Sequence, residues 1–101
     1  MQELTHYIGG AHVKGTSGRF ADVYNPATGE VQAKVPLANG EEMAGAVAIA
    51  AEAQVGWAAT NPQRRARVLM AFVGLLNRDM DRLAEALSRE HGKTIPDAKG
   101  D

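Results

Sequence analysis

The residues able to do chemistry are few and widely spaced. Gly92-Lys93-Thr94 has the ending of a phosphate-binding loop, in which backbone N–H groups and the lysine cradle a nucleotide. Such a loop needs a glycine five positions before Gly92, and Leu87 stands there, inside an apolar stripe. No strand precedes it, so the phosphate loop is rejected. His6, His12 and His91 are scattered, and none has a second histidine and a carboxylate at helical spacing, as a metal site would require. Glu41, Glu42 and Glu90 read as helix-end or surface carboxylates. Arg64, Arg65 and Arg67 form a cationic patch that serves to solvate a helix start rather than to hold phosphate. Cysteine is absent, which excludes disulfides, thiolate metal sites and a cysteine nucleophile within these residues. No Ser/His/Asp set is in reach. The expectation is that no catalytic, cofactor-binding or metal-binding residue lies in this chain.

The elements explain why so little chemistry is visible. From Asn61 to His91 the chain reads as helix, with Leu69, Val73, Leu76, Met80, Leu83 and Leu87 recurring at alternating spacings of four and three. Val68, Phe72 and Leu75 widen the stripe into a face fit for a core. Asn61 is placed to cap it, Pro62 occupies the first helical position, and Gly92 is the expected stop. The weaker helix formers at Asn77-Arg78-Asp79 predict a kink or a division there. An earlier helix starts at Asn39, with Glu42 three positions on as the reciprocal member of a capping box. It carries Met43, Val47, Ala51 and Val55 along one side, and Trp57 near its end is expected to anchor against the next helix. The short Thr60-Asn61-Pro62 connection predicts antiparallel neighbours.

Residues 1–37 read as short strands and turns. Gly9-Gly10 suits a tight hairpin between Tyr7-Ile8 and Val13. Phe20 to Tyr24 and Val31 to Val35 alternate as strands around the Asn25-Pro26-Ala27-Thr28-Gly29 turn. The expected fold class is therefore α+β. It has N-terminal β-hairpins over 1–37, followed by an antiparallel pair or trio of helices over 38–101.

The 101 residues carry a net charge of -1 with both signs interspersed, which argues against a nucleic-acid or membrane-surface partner. Only 5% are aromatic and alanine supplies much of the apolar share, so the core is thin. No charged leader with an apolar run follows the first methionine, and a cytoplasmic protein is the default expectation. Thr94-Ile95-Pro96-Asp97 begins a helix that ends barely one turn later at Asp101, as if the chain were cut.

Three patches resemble a known family. HYIGGAHV (His6–Val13) followed by VYNPATGEV (Val23–Val31) is similar to the opening of NAD-dependent aldehyde dehydrogenases. The alanine-rich run from Ala46 through Trp57 to Arg65-Ala66 and Leu69 is similar to their next segment. SREHGKTIPDAKGD (Ser88–Asp101) most resembles the coenzyme A-acylating methylmalonate-semialdehyde branch. The resemblance implies an oxidoreductase several times longer, using NAD and coenzyme A, in which this stretch is the N-terminal part of an α/β fold covering the cofactor-binding domain. It also implies a homo-oligomer whose catalytic cysteine and dinucleotide site lie downstream. The other reading of the residues is a self-sufficient helical dimerisation or interaction module without catalysis.

Overall fold

The structure is a computed structural model and describes residues 1–101. Five short strands precede four helices, and the chain separates into two compact units. The last strand ends at Pro36 and the first helix starts at Gly40. The packing units, however, divide the chain at Ala59 and set residues 24–30 with the later helices.

The first unit holds Met1–Val23 and Val31–Ala59. Its hairpin pairs β2 (His6–Ile8) with β3 (Ala11–Val13) in antiparallel register, Ile8 opposite Ala11. Gly9 and Gly10 between them have φ of 63° and 80°, the paired left-handed geometry that a two-residue hairpin loop demands. A second sheet has the order β1–β5–β4, with β1 at Gln2–Glu3, β4 at Phe20–Tyr24 and β5 at Val31–Pro36. β1 runs parallel to β5, Gln2 opposite Ala33, and was not legible in the polar residues that form it. Ala33 on the central strand is buried while Lys34 next to it is exposed, as alternation requires. Lys34 Nζ reaches Asp22 Oδ1 at 3.1 Å across the sheet.

Helix α1 (Gly40–Ala59) closes this unit. The capping box is present: Asn39 Oδ1 accepts from Glu42 N at 2.8 Å, and Glu42 Oε1 accepts from Asn39 N at 3.4 Å. Burial pushes the Glu42 carboxyl up, but hydrogen bonds from Asn39 and Thr16 and the charge of His6 outweigh it and hold the group below its ordinary value near 4.5. A carboxylate held low contributes stability above the ordinary carboxylate range and loses it as pH falls through the folded value. Thermal midpoints of the wild type should therefore drop as pH falls below the ordinary carboxylate value, and Glu42→Gln should flatten that drop. Identical acid profiles for the two proteins would show that the carboxylate does not hold the helix start.

The second unit holds Tyr24–Glu30 and Thr60–Asp101. Asn61 caps α2 (Pro62–Arg78) by accepting from Arg64 N at 2.9 Å, and Pro62 sits at the first helical position. The long apolar repeat is divided at Asp79, whose φ of -103° and ψ of 17° end α2 and start α3 (Met80–His91). Gly92 stops α3 in the left-handed conformation. Helix α4 (Ile95–Lys99) packs on α3, burying Ala84 and Ala98. The Thr94 side chain, expected to cap α4, makes no capping hydrogen bond; its carbonyl accepts from Ala98 N at 2.9 Å instead. No helix is long and apolar enough to cross a membrane.

Neither α1 nor α2 has a buried residue, and they belong to different units. Trp57, expected to anchor against the next helix, is 43% exposed, and Leu76 of the long stripe is 37% exposed. The close helix contact is between α3 and α4, and small alanines make it.

Candidate functional site

The chemistry-bearing side chains are spent on structure. His6 on β2 faces Glu42 at the start of α1, with Nε2 3.5 Å from Oε2. That Nε2 is buried and has no hydrogen-bond partner. A side chain on Gly15 would crowd this corner, since a Cβ there would lie 3.1 Å from Pro36 Cβ and 3.3 Å from His6 Nε2. His12 Nδ1 pairs with Thr5 Oγ1 at 3.0 Å, and its ring meets Tyr7 edge-on, centroids 5.3 Å apart. His91 is the last residue of α3. No three histidines, aspartates or glutamates come together where they could hold a metal ion.

Gly92-Lys93-Thr94 is a helix terminator. Gly92 N bonds to Ser88 O at 2.8 Å, closing α3, and Ser88 Oγ donates to Lys93 O at 2.8 Å. Lys93 Nζ donates to the Asp101 carboxylate and lies 3.9 Å from Asp97. The Asp101 hydrogen bond raises the ammonium above its ordinary value against the opposing effect of burial, with both aspartate charges adding to the rise. A lysine so engaged pins α4 to the turn and is no phosphate ligand. Lys99 adds a second tie, 2.8 Å from Asp81 on α3, which holds the Asp81 carboxyl below its ordinary range. Arg65, half-buried at the start of α2, keeps an Nε that is buried and unpaired; nothing in the spacing of Arg64, Arg65 and Arg67 pointed to it.

The residues present do not fit a dinucleotide. A pyrophosphate needs a glycine-rich turn that presents free N–H groups at a helix start. At α1 that position holds the Glu42 carboxylate, already accepting from the backbone, and at α2 it holds Asn61 and Pro62. His6, Tyr7, Ile8, Glu42 and Met43 line a cleft in the first unit, and Leu76, Met80, Leu83 and Leu87 line a groove in the second that Lys99 and Asp101 border. Neither contains a nucleophile.

The model of the aldehyde dehydrogenase family matches residues 12–101. A malonate-semialdehyde dehydrogenase of Pseudomonas aeruginosa is 45% identical over 101 residues, which are 100% of this chain and 20% of that protein. The acylating mitochondrial methylmalonate-semialdehyde dehydrogenase of Arabidopsis thaliana is 45% identical over 97% of this chain and 16% of its own. A crystal structure from Sinorhizobium meliloti, complexed with NAD and provisionally named methylmalonate-semialdehyde dehydrogenase, superposes with a TM-score of 0.94 at 64% identity. It covers 99% of this chain and 20% of that one. The chain spans about a fifth of the length of such relatives. The short strands and four helices correspond to the N-terminal part of their fold, and the chain belongs to the aldehyde dehydrogenase family.

Proposed function

We propose that these residues are the N-terminal part of an NAD-dependent, coenzyme A-acylating aldehyde dehydrogenase of the methylmalonate-semialdehyde type, which oxidises a semialdehyde to an acyl-CoA. The observation that carries this reading is the 64% identity with the Sinorhizobium meliloti structure over 99% of the chain. The chemistry must come from elsewhere in a longer protein. Thioester formation needs a thiolate, and these residues include no cysteine. The part played by this chain is to cover. Helix α1 has one charged residue beyond its first turn, Glu52, yet buries nothing by itself, and a helix so apolar all round belongs inside a larger body. The rest of the enzyme chain is its partner, in a homo-oligomer, and a cytoplasmic location belongs to the same reading.

Two experiments test it. Grafted in place of the matching fifth of the Sinorhizobium meliloti protein, these residues should support coenzyme A-dependent NADH production from a semialdehyde. A soluble, folded chimera that produces none overturns the assignment. Alone, the 101 residues should oxidise no aldehyde and give no saturable heat with NAD at micromolar concentration; a saturable isotherm would contradict this.

A second reading, a helical interaction module without catalysis, draws on the exposed apolar residues of α2, Val68, Leu69, Phe72 and Val73. A folded, soluble 101-residue chain paired with a dead chimera would favour it.

A further inference from the structure

The hairpin of β2 and β3 is fastened to helix α1 by little. Two strands of three residues each are marginal on their own, and this hairpin does not join the three-stranded sheet. Its apolar contact with α1 is loose. One cleft opens between Tyr7, Ile8 and Met43, and another between Gly9, Ile49 and Ala50. The polar contact lies at the start of β2, where His6 Nε2 stands 3.5 Å from Glu42 Oε2. Glu42 Oε1 accepts from Asn39 N, which leaves Oε2 to face the ring. Nε2 is buried without a hydrogen-bond partner, and the missing Cβ of Gly15 would lie 3.3 Å from it and 3.6 Å from Oε2. A neutral imidazole fits this corner badly in either tautomer. With the proton on Nδ1, the Nε2 lone pair faces a carboxylate; with the proton on Nε2, the donor stands beyond the usual N–H···O range of about 2.7–3.2 Å. A second proton makes Nε2 a charged donor aimed at the one acceptor within reach.

We propose that His6 and Glu42 form a proton-dependent latch: the imidazolium closes onto Oε2 and fastens the hairpin to α1, and the neutral ring releases it. Glu42 is the one charged group paired with His6. Gly15, Thr16 and Pro36, which complete the corner, carry no charge. On the neighbouring strand His12 is committed to Thr5 and Tyr7, and Lys14 and Glu41 are exposed and paired with neither side chain of the latch. Shielding from water opposes a charge on the ring. The carboxylate outweighs it because that anion is already in place, held by Asn39 and Thr16, and the ring's charge offsets its own. Histidine ordinarily takes up its proton at about pH 6.5, and Glu42 is held below its ordinary value near 4.5. Between these limits the two groups carry opposite charges and the latch is closed. Above the window the ring is neutral, and below it the carboxylate is. The inference concerns contacts within the first unit and stands apart from the enzymatic reading.

The test is amide hydrogen exchange of the chain at about pH 5.5 and about pH 8, on either side of the histidine range, each rate divided by that of an unstructured peptide at the same pH. The β2 and β3 amides should be protected at least about fivefold more at the lower pH, while those of β4 and β5 keep one protection factor throughout. His6→Gln removes the titrating group, and Glu42→Gln removes the charge while keeping a residue that completes a capping box. Either substitution should abolish the pH dependence of the hairpin, and His12→Gln should leave it in place. Equal protection of the wild-type hairpin at the two pH values overturns the proposal. So does a pH dependence that survives His6→Gln or Glu42→Gln, that is lost with His12→Gln, or that runs equally through β4 and β5.

Discussion

Gly92→Ala is expected to destabilise the second unit by about 1–3 kcal/mol, the cost of forcing a side chain into a sparsely populated backbone region. Gly92 has φ of 86°, and any L residue there meets its own backbone. The position carries a second penalty. A Cβ on Gly92 would lie 3.0 Å from Pro26 Cγ, so the Asn25–Gly29 turn and the end of α3 approach as closely as two chains can without a side chain between them. Gly29→Ala is the internal control, since Gly29 has φ of 76° in the same unit and nothing within 4 Å of its missing Cβ. Both substitutions pay for the backbone conformation, and only Gly92→Ala also displaces Pro26. Urea midpoints should fall further for Gly92→Ala, and Pro26→Ala should recover part of the difference. If the two alanine variants unfold at the same midpoint, the contact with Pro26 contributes nothing.

The contact of α3 with α4 should be comparably sensitive, and Ala84→Leu should cost about 1–3 kcal/mol by overpacking. Ala84 is 2% exposed and Ala98 6%, so three extra carbons on Ala84 have no space unless the helices part. Five residues do not make a stable helix on their own, and α4 survives only while it rests on α3. The amides of Gly100 and Asp101, which donate to Asp97 and Ala98, should lose their protection from hydrogen exchange in the variant. The ion pairs of Lys93 with Asp101 and of Lys99 with Asp81 decorate the same contact. They are exposed on at least one side, 91% for the Asp81 side chain, and solvent screens most of their attraction. Asp81→Asn should therefore shift the midpoint much less than Ala84→Leu. The reverse order would mean that charge, not packing, docks α4.

Local devices were legible because both partners lie within a few residues of each other. The reciprocal bonds of Asn39 and Glu42 span three positions, as does the bond from Arg64 N to Asn61, and residue type with spacing suffices to predict them. In the Asn25–Gly29 turn, Asn25 Oδ1 accepts from Ala27 N at 3.0 Å, and Gly29 takes a left-handed φ that its side-chain-free backbone permits. Gly9-Gly10 and the division at Asp79 are of the same kind.

The sequence by itself thus determined where most elements begin and end and which family they resemble. Tertiary structure alone decided what each apolar stripe meets. Periodicity states that Leu69, Val73, Leu76 and Leu83 share a helical face; it does not state that another surface exists to cover it, and each of them is more than a third exposed. The parallel pairing of Gln2–Glu3 with Ala33–Lys34 depends on partners some thirty residues apart, and two polar residues carry no strand signal of their own. Helix α4 is the clearest case. Its five residues fall short of a helical nucleus, and they hold their form because Ala98 lies against α3, a contact that no local rule encodes.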